Sequence, residues 1–396
     1  MKRNKVIELG EAIELQRGYD LTSAQMEPGT IPVAGSNGVI GHHNVSKTSA
    51  PAITIGRSGT IGKVHFYNEP IWPHNTSLFI TNYKGNNARY IYYLLQQVDF
   101  KKVCDSSVIP SLNRNFVYPI KVKFVSDLDE QRKIAAVLTA LDDKIALNKR
   151  INDKLEAMAK RLYDYWFVQF DFPDENGRPY KSSGGKMVWN ETLKREIPEG
   201  WEVKRLGDIC SFRNGINYEK NNVGNKNYKI INVRNITSSS LFLNQNEFDE
   251  ICLPSNLADS YIIHDNAILI ARSGSPGATR IINNVEPNVI FCGFIICMEN
   301  FDKGYKMYLA YNLKTLENTN ATKTGGSILQ NVSQDTLKRV VIIIPPTQVV
   351  NHYNDYISSN NYQYNLIMKQ CIYLTSLRDR LLPLLMNGQV VVEGEE

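Results

Sequence analysis

Ala52-Ile53-Thr54-Ile55-Gly56-Arg57-Ser58-Gly59-Thr60-Ile61-Gly62 and Ala267-Ile268-Leu269-Ile270-Ala271-Arg272-Ser273-Gly274-Ser275-Pro276-Gly277 are two renderings of one pattern. Each is an apolar run that reads as a strand and passes at once into a basic, glycine-rich turn. Such long-range self-similarity changes the architecture a sequence implies, and the repeat extends well beyond these turns. Upstream, Val6-Ile7-Glu8-Leu9-Gly10-Glu11-Ala12-Ile13 returns as Trp201-Glu202-Val203-Lys204-Arg205-Leu206-Gly207-Asp208-Ile209. Both are followed by an Arg/Gly turn, Arg17-Gly18-Tyr19 and Arg213-Asn214-Gly215. Downstream, Ser107-Val108-Ile109-Pro110-Ser111-Leu112-Asn113 corresponds to Ser327-Ile328-Leu329-Gln330-Asn331-Val332-Ser333, an offset of about 220 residues. Each leads into a further strand: Ile120–Phe124 in the first half and, in the second, the greasy run Val340–Pro346 with its Pro-Pro stop.

After each of these strands the apolar period changes from two to about 3.5, the mark of a long helix. In the first, Ile134, Leu141, Asn148, Leu155 and Leu162 recur every seven residues, with Val137, Ile145, Ile151, Met158 and Tyr165 near the complementary positions. The second shows Tyr353, Asn360, Ile367, Leu374 and Leu381, flanked by Val350, Ile357, Tyr364 and Cys371. A helix from Glu130 to Phe167 would run roughly 57 Å at 1.5 Å per residue, longer than a small domain needs. Two helices of matched length are best explained as packing on each other; the other reading packs each on its own domain. The expected division is a first module at 1–127, a long helix at 128–168, a connector at 169–200, a second module at 201–345, a second long helix at 346–388 and a tail at 389–396. Trp189 and the run Ile197-Pro198-Glu199-Gly200-Trp201 are expected to anchor the second module.

The 396 residues suit two or three globular units, and an apolar fraction of 42% can fill real cores. The six cysteines lack CxxC or Cys/His ligand spacing, which fits a reducing compartment and buried thiols. The N-terminus turns polar before any secretory core forms, and no stretch of about 18 apolar residues occurs, so the expected location is the cytoplasm, with no membrane partner. Net charge is +5 overall; residues 1–126 hold 14 Lys/Arg against 8 Asp/Glu, and residues 213–340 hold 13 against 11. The first module therefore suits phosphate electrostatically, while the second needs a local patch or its partners.

The Arg-Ser-Gly turns, with Arg57-Ser58 and Arg272-Ser273, are the strongest local candidates. Glycine permits tight turning and close backbone approach, and arginine can fork onto a guanine edge or a phosphate. The bland alternative is a hairpin turn with a solvated arginine. In the first module Ser36, Asn37, His42, His43, His74 and Asn75 offer amide, hydroxyl and imidazole groups on loops suited to base-edge hydrogen bonds. A metal site at His42, His43 and His74 would need an acidic or cysteine partner at ligand spacing, which is missing. Arg17, Tyr19, Lys63 and Arg114 complete the first set of candidate nucleic-acid contacts; Arg213, Asn217, Tyr218, Arg234, Asn235, Lys323, Ser327 and Gln330 belong to the second. His65 and His352 read as packed histidines. Lys323-Thr324-Gly325-Gly326-Ser327 is rich in anion-accepting amides but lacks the order of a nucleotide P-loop. GxSxG, a dinucleotide GxGxxG and a methyltransferase-type Asn-Pro-Pro-aromatic signature are absent, and Asp171 stands alone in the connector. No catalytic constellation can be assembled.

Taken together, the duplication, the Leu-Gly-Glu/Asp openings at Leu9 and Leu206, Asp129-Glu130-Gln131 before the first helix, and Leu377-Arg378-Asp379-Arg380-Leu381-Leu382-Pro383-Leu384-Leu385-Met386-Asn387-Gly388 resemble the specificity subunits of Type I restriction-modification systems over essentially the whole chain. The resemblance implies an α+β fold: two repeated α/β target-recognition domains, each followed by a long helix, with the two helices packed as an antiparallel coiled coil. It also implies a subunit without catalytic residues, metal or bound cofactor that reads a split, asymmetric sequence on double-stranded DNA. Its implied partners are two modification subunits, which bind S-adenosylmethionine, and restriction subunits that use ATP and Mg during cleavage. A non-reading assembly scaffold or degenerate copy is the alternative. One departure stands out: Pro345-Pro346-Thr347-Gln348 lacks the Glu-Gln found at Glu130-Gln131, which leaves the start of the second helix open.

Overall fold

The computed structural model describes residues 4–103, 111–218, 224–237, 240–321 and 332–392. They fall into two compact units, Met1–Leu147 with Tyr373–Glu396, and Asn148–Ile372.

In the first unit the opening strand Asn4–Glu8 pairs antiparallel with Lys121–Val125, so the module's beginning and end meet just before the first long helix. A four-stranded antiparallel sheet has the order Glu14–Arg17, Ser77–Asn82, Ala52–Gly56, Val64–Tyr67. A three-stranded sheet sets Ile31–Gly35 between Gly38–His43, antiparallel to it, and Trp72–Pro73, parallel to it. Ala52–Gly56 is buried throughout, which explains its continuous apolar run. Helix Ala88–Gln96 starts where Asn87 accepts a hydrogen bond from the Tyr90 N–H at 3.0 Å, and it turns Tyr90, Ile91, Leu94 and Leu95 into the core.

The second unit repeats this plan strand for strand. Glu202–Arg205 pairs with Val341–Ile344; the four-stranded order is Ser211–Asn214, Ile295–Glu299, Ile268–Ala271, Thr279–Ile281. In the three-stranded sheet Lys226–Ile231 lies between Asp249–Leu253, antiparallel, and Val289–Phe291, parallel. A hairpin of Met187–Asn190 and Arg195–Pro198 is added within the expected connector.

The long helices are Leu128–Tyr163, continued by a π-helical turn at Asp164–Val168, and Thr347–Met386. On the first, Gln131, Ile134, Leu138, Ile145, Asn148, Asn152, Ala159 and Tyr163 are buried at heptad-like spacing. Met158 and Tyr165 are exposed, so the seam passes through their neighbours instead. On the second, Val350, Tyr353, Ile357, Tyr364, Cys371 and Leu382 are buried. Within the second unit the Tyr353 hydroxyl donates to the Ala159 carbonyl at 3.1 Å and the Asn148 amide to Gln370 Oε1 at 2.8 Å. One helix therefore advances as the other recedes. In the first unit Asp142 meets Arg378 at 2.9 Å, and Ile134 and Leu138 share a core with Leu382 and Leu385. The pair is an antiparallel coiled coil.

The two helices begin differently. Asp127 Oδ1 accepts from the Glu130 N–H at 2.9 Å, and buried Gln131 donates to Val125 O and Asn86 Oδ1 while accepting from Asn87 N. The second helix starts at Thr347, after a proline whose fixed φ suits a helix entrance, with the Tyr305 hydroxyl donating to Pro345 O at 2.7 Å.

Four side chains depart from expectation. Trp189 is 54% exposed, whereas Ile197 and Trp201 are buried beside Phe170 and Phe172; the anchor is the Trp201 end of the segment alone. His352 is exposed, its ring T-shaped against Trp166 and tilted against Tyr356, and Cys252 is exposed as well. Asp171 accepts from the Ser182 N–H and hydroxyl at 2.7 and 2.6 Å, closing the turn of the connector. Among the described residues, no helix is long and apolar enough to cross a membrane.

Candidate nucleic-acid interface

The two Arg-Ser-Gly turns are held by corresponding hydrogen bonds. In the first, Gly56 N donates to Lys63 O and Gly62 N to Gly56 O, both at 2.8 Å; Arg57 N donates to Thr76 O at 2.8 Å, and Arg57 O accepts from Leu112 N at 2.8 Å. In the second, Ala271 N donates to Ala278 O and Gly277 N to Ala271 O, both at 2.9 Å; Arg272 N donates to Phe294 O at 2.8 Å, and Arg272 O accepts from Val332 N at 3.1 Å. Gly59 and Gly274 sit at φ of 78° and 79°, a left-handed conformation that a side chain would strain. The guanidinium contact repeats too: Arg57 Nη1 reaches Asn75 O at 3.5 Å and Arg272 Nη1 reaches Gly293 O at 3.1 Å. Among the described residues no other acceptor engages either guanidinium. Each half-buried arginine is thus aimed by its backbone and one anchor, with the remaining N–H groups of its fork available.

Close strand approach brings the Arg/Gly turns beside these. Gly18 N donates to Ser77 O and Gly215 N to Ile295 O; a Cβ at either glycine would lie 2.1 or 2.3 Å from a facing backbone oxygen. In the first unit this seats Tyr19 next to His74, with Asn75 bonded to Asp20 and Asp20 paired to Arg17 at 3.8 Å. His74 Nδ1 lies 2.9 Å from Thr76 Oγ1, which accepts from Ser36 N, and Lys63 Nζ donates to Asn37 Oδ1 at 2.8 Å. Arg17, Tyr19, Ser36, Asn37, Arg57, Ser58, Lys63, His74 and Asn75 therefore form one connected cluster. His42 and His43 do not join it: they pair with Pro32 and Ile31, at the hairpin end away from the Gly35–Gly38 turn. His42 is exposed. His43 is buried, its Nδ1 accepting from Glu27 N at 3.0 Å and its ring edge-on to Trp72, so it supports the fold. Arg114 is exposed but donates to Leu15 O at 3.2 Å.

The second unit assembles a smaller set. Helix Val233–Ile236 abuts the turn, a Cβ on Gly274 falling 2.9 Å from Val233 Cγ1. The Tyr218 hydroxyl donates to Asn232 Oδ1 at 3.3 Å, and exposed Asn217 lies against Gly293. Ser273 is half-buried beside Arg272, and exposed Arg234 pairs with Asp249. Two expected contacts are corrected. Arg213 spends its guanidinium inside the fold, on Glu299 at 2.8 Å and on the carbonyls of Ser260 and Ile262 at 2.8 and 2.7 Å. Asn235 is buried, accepting from Asn232 N and donating to Glu247 O. Lys323, Ser327 and Gln330 lie outside the described residues.

Two residues at these ends were not singled out from the sequence. Lys47 Nζ stands 5.0 Å from the Trp72 ring and 5.7 Å from that of Tyr19, adding a cation to the first cluster. Phe294, in the place of Thr76, is 61% exposed next to the second turn. Neither lies in a motif; only the folding of distant strands reveals them. Among the described residues no group of three or more His, Cys, Asp or Glu could hold a metal ion.

Residues 1–157 and 198–359 match the Type I restriction modification DNA specificity domain, and the chain belongs to that family. It is 26% identical over 348 residues to the Type I restriction enzyme MjaIX specificity subunit of Methanocaldococcus jannaschii, covering 86% of this chain and 78% of that protein. It is 23% identical over 357 residues to the HindI specificity subunit of Haemophilus influenzae, covering 74% of each. The crystal structure of a Type-I restriction-modification system S subunit from M. genitalium shares the fold with a TM-score of 0.55 at 14% identity, over 99% of this chain and 97% of that one.

Proposed function

We propose that the chain reads a split, asymmetric sequence on double-stranded DNA, one half-site through the module at 1–127 and the other through 201–345, with the helices at 128–168 and 346–388 setting the spacing between them. It acts in the cytoplasm without a catalytic site, cofactor or metal of its own. Two modification subunits docked on it supply methyl transfer from S-adenosylmethionine, and restriction subunits use ATP and Mg when the complex cleaves.

The observation that carries this reading is the Arg-Ser-Gly turn, present twice with equivalent hydrogen bonds and a forked guanidinium anchored through one nitrogen. A planar fork on a tethered backbone suits a guanine edge, where a bidentate contact discriminates by about 1–3 kcal/mol. Two linked modules raise the effective concentration of the second contact, so two short half-sites together give specificity that neither has alone.

The test is selection of bound sequences from random duplex DNA at moderate salt, with the chain co-expressed with its modification subunits. Two short motifs separated by an unread spacer of one length are expected. An intact complex that selects no motif would leave a scaffold or an inactive copy.

A further inference from the structure

We infer that Asp142 and Glu156, two carboxylates of the first long helix, are positioning residues that hold each recognition module in one orientation on the helices and so make DNA reading intolerant of spacer length. The inference rests on the DNA-reading function proposed above.

Apolar burial has no direction, and a module seated only on greasy surface can rock. Hydrogen bonds to a charged group are short and angle-dependent, and therefore orient what they join. In the second unit Glu156 Oε1 accepts from the Leu241 N–H at 2.7 Å and from Lys314 Nζ at 3.3 Å, while Oε2 accepts from the Ser240 hydroxyl at 2.8 Å. Ser240 Oγ also lies 3.1 Å from the Tyr364 hydroxyl on the second long helix. One carboxylate thus ties both long helices to two parts of the module. The path from it to the recognition turn is short and hydrogen-bonded. Ile281 N donates to Leu241 O and Leu243 N to Ile281 O; Ile281 pairs with Ile268, and the strand Ile268–Ala271 runs straight into Arg272.

The first unit has a counterpart two heptads earlier on the helix. Asp142 Oδ2 accepts from the buried Tyr93 hydroxyl at 2.7 Å, and Oδ1 accepts from Arg378 Nη1 of the second long helix at 2.9 Å. Tyr93 belongs to helix Ala88–Gln96, whose Tyr92 packs edge-on to Phe66 and whose Arg89 lies over the same ring at 3.7 Å. Phe66 pairs with Ile53 in the strand Ala52–Gly56, which runs into Arg57. In the second unit the carboxylate therefore reaches the reading turn through two layers of paired backbone, and in the first through the helix Ala88–Gln96, the packed Tyr92 and Phe66 rings and one pair of strands. Neither group belongs to the DNA-facing clusters. The Glu156 and Lys314 side chains are only 14% and 13% exposed, so the pair is shielded from solvent screening.

The test uses the complex with its modification subunits and two mild variants, Tyr93→Phe, which deletes one hydroxyl, and the double variant Glu156→Gln with Lys314→Met, which removes both charges and strands neither. Selection from random duplex DNA is repeated for each, and affinities are measured for the native spacer and for spacers one base pair longer or shorter. Both half-site motifs should persist unchanged while the spacer distribution broadens, and the preference for the native spacer should fall by about tenfold. An unchanged spacer preference, with or without a lower melting temperature, overturns the inference while leaving the DNA-reading function standing. Loss of one half-site motif also overturns it, since the carboxylate would then be building the reader. A wild-type complex that selects no bipartite sequence refutes the DNA-reading function itself, and this inference falls with it.

Discussion

Replacing Arg272 by alanine separates a base reader from a structural turn. The backbone stays tied after truncation, because Arg272 N donates to Phe294 O, Arg272 O accepts from Val332 N, and neither bond involves the side chain. What the fold loses is one half-exposed hydrogen bond to Gly293 O at 3.1 Å, a cost of about 1 kcal/mol. What DNA binding loses is the fork. On a guanine edge that is about 1–3 kcal/mol, a weakening of roughly 5- to 150-fold on duplexes with the correct second half-site. Duplexes with that half-site scrambled should bind nearly as before. Arg272→Lys keeps the charge but not the planar fork, and should lose almost as much discrimination. Arg57→Ala should show the mirror image at the first half-site. The assay is a titration of the complex against matched and half-scrambled duplexes at several salt concentrations, with a thermal melt for the fold. A loss equal across all sequences, with the salt slope reduced by about 1, would make the arginine a phosphate contact. Unchanged affinity for every duplex would refute the reasoning and leave a solvated turn.

Three further outcomes test the fold that presents these turns. Gln131→Leu removes bonds to Val125 O, Asn86 Oδ1 and Asn87 N at 2.8–2.9 Å, and should cost roughly 2–4 kcal/mol in urea unfolding followed through Trp72, the sole tryptophan of the first unit; a loss well below about 1 kcal/mol would show those groups finding other partners. Tyr118→Phe takes away the hydroxyl that accepts from Leu15 N at 2.9 Å and donates to Leu15 O at the Glu14/Leu15 bulge, so the Leu15 amide should exchange with solvent faster, whereas unchanged protection would mean the bulge holds without it. Burial holds the Lys306 ammonium down to about 8 from 10.5. The unfolded chain therefore binds more protons between about pH 8 and 10.5, and stability rises with pH across that window. Below it both states are protonated and the contribution is flat. In Lys306→Met the rise is lost, so the stability difference between wild type and variant should move in favour of wild type as pH climbs; a constant difference would contradict the burial of the charge.

The duplication was legible because strand periods, glycine turns and heptads are local patterns, and a repeated local pattern folds into a repeated local structure. The Arg-Ser-Gly turns were legible for the same reason: left-handed φ at Gly59 and Gly274 follows from the chemistry of two adjacent residues. The heptads were less secure, because a helix period locates a stripe only to within a residue. Met158 fell outside the seam and Ala159 inside it.

Partner choice lay beyond the sequence altogether. Nothing near Arg213 announces that Glu299 will take its guanidinium, or that Asn235 will turn inward to Glu247, because those partners arrive from distant strands. Trp189 and Trp201 look alike as anchors, yet only the second meets the aromatic cluster of Phe170 and Phe172. Asp142 and Glu156 read as ordinary polar positions of an amphipathic helix until Tyr93, Arg378, Leu241 and Lys314 close around them. By itself the sequence determined that the modules repeat, that a long helix follows each of them and where the basic turns fall, since these depend on neighbours along the chain. The tertiary structure alone decided which polar groups face out and which are consumed within, since burial and pairing depend on neighbours in space.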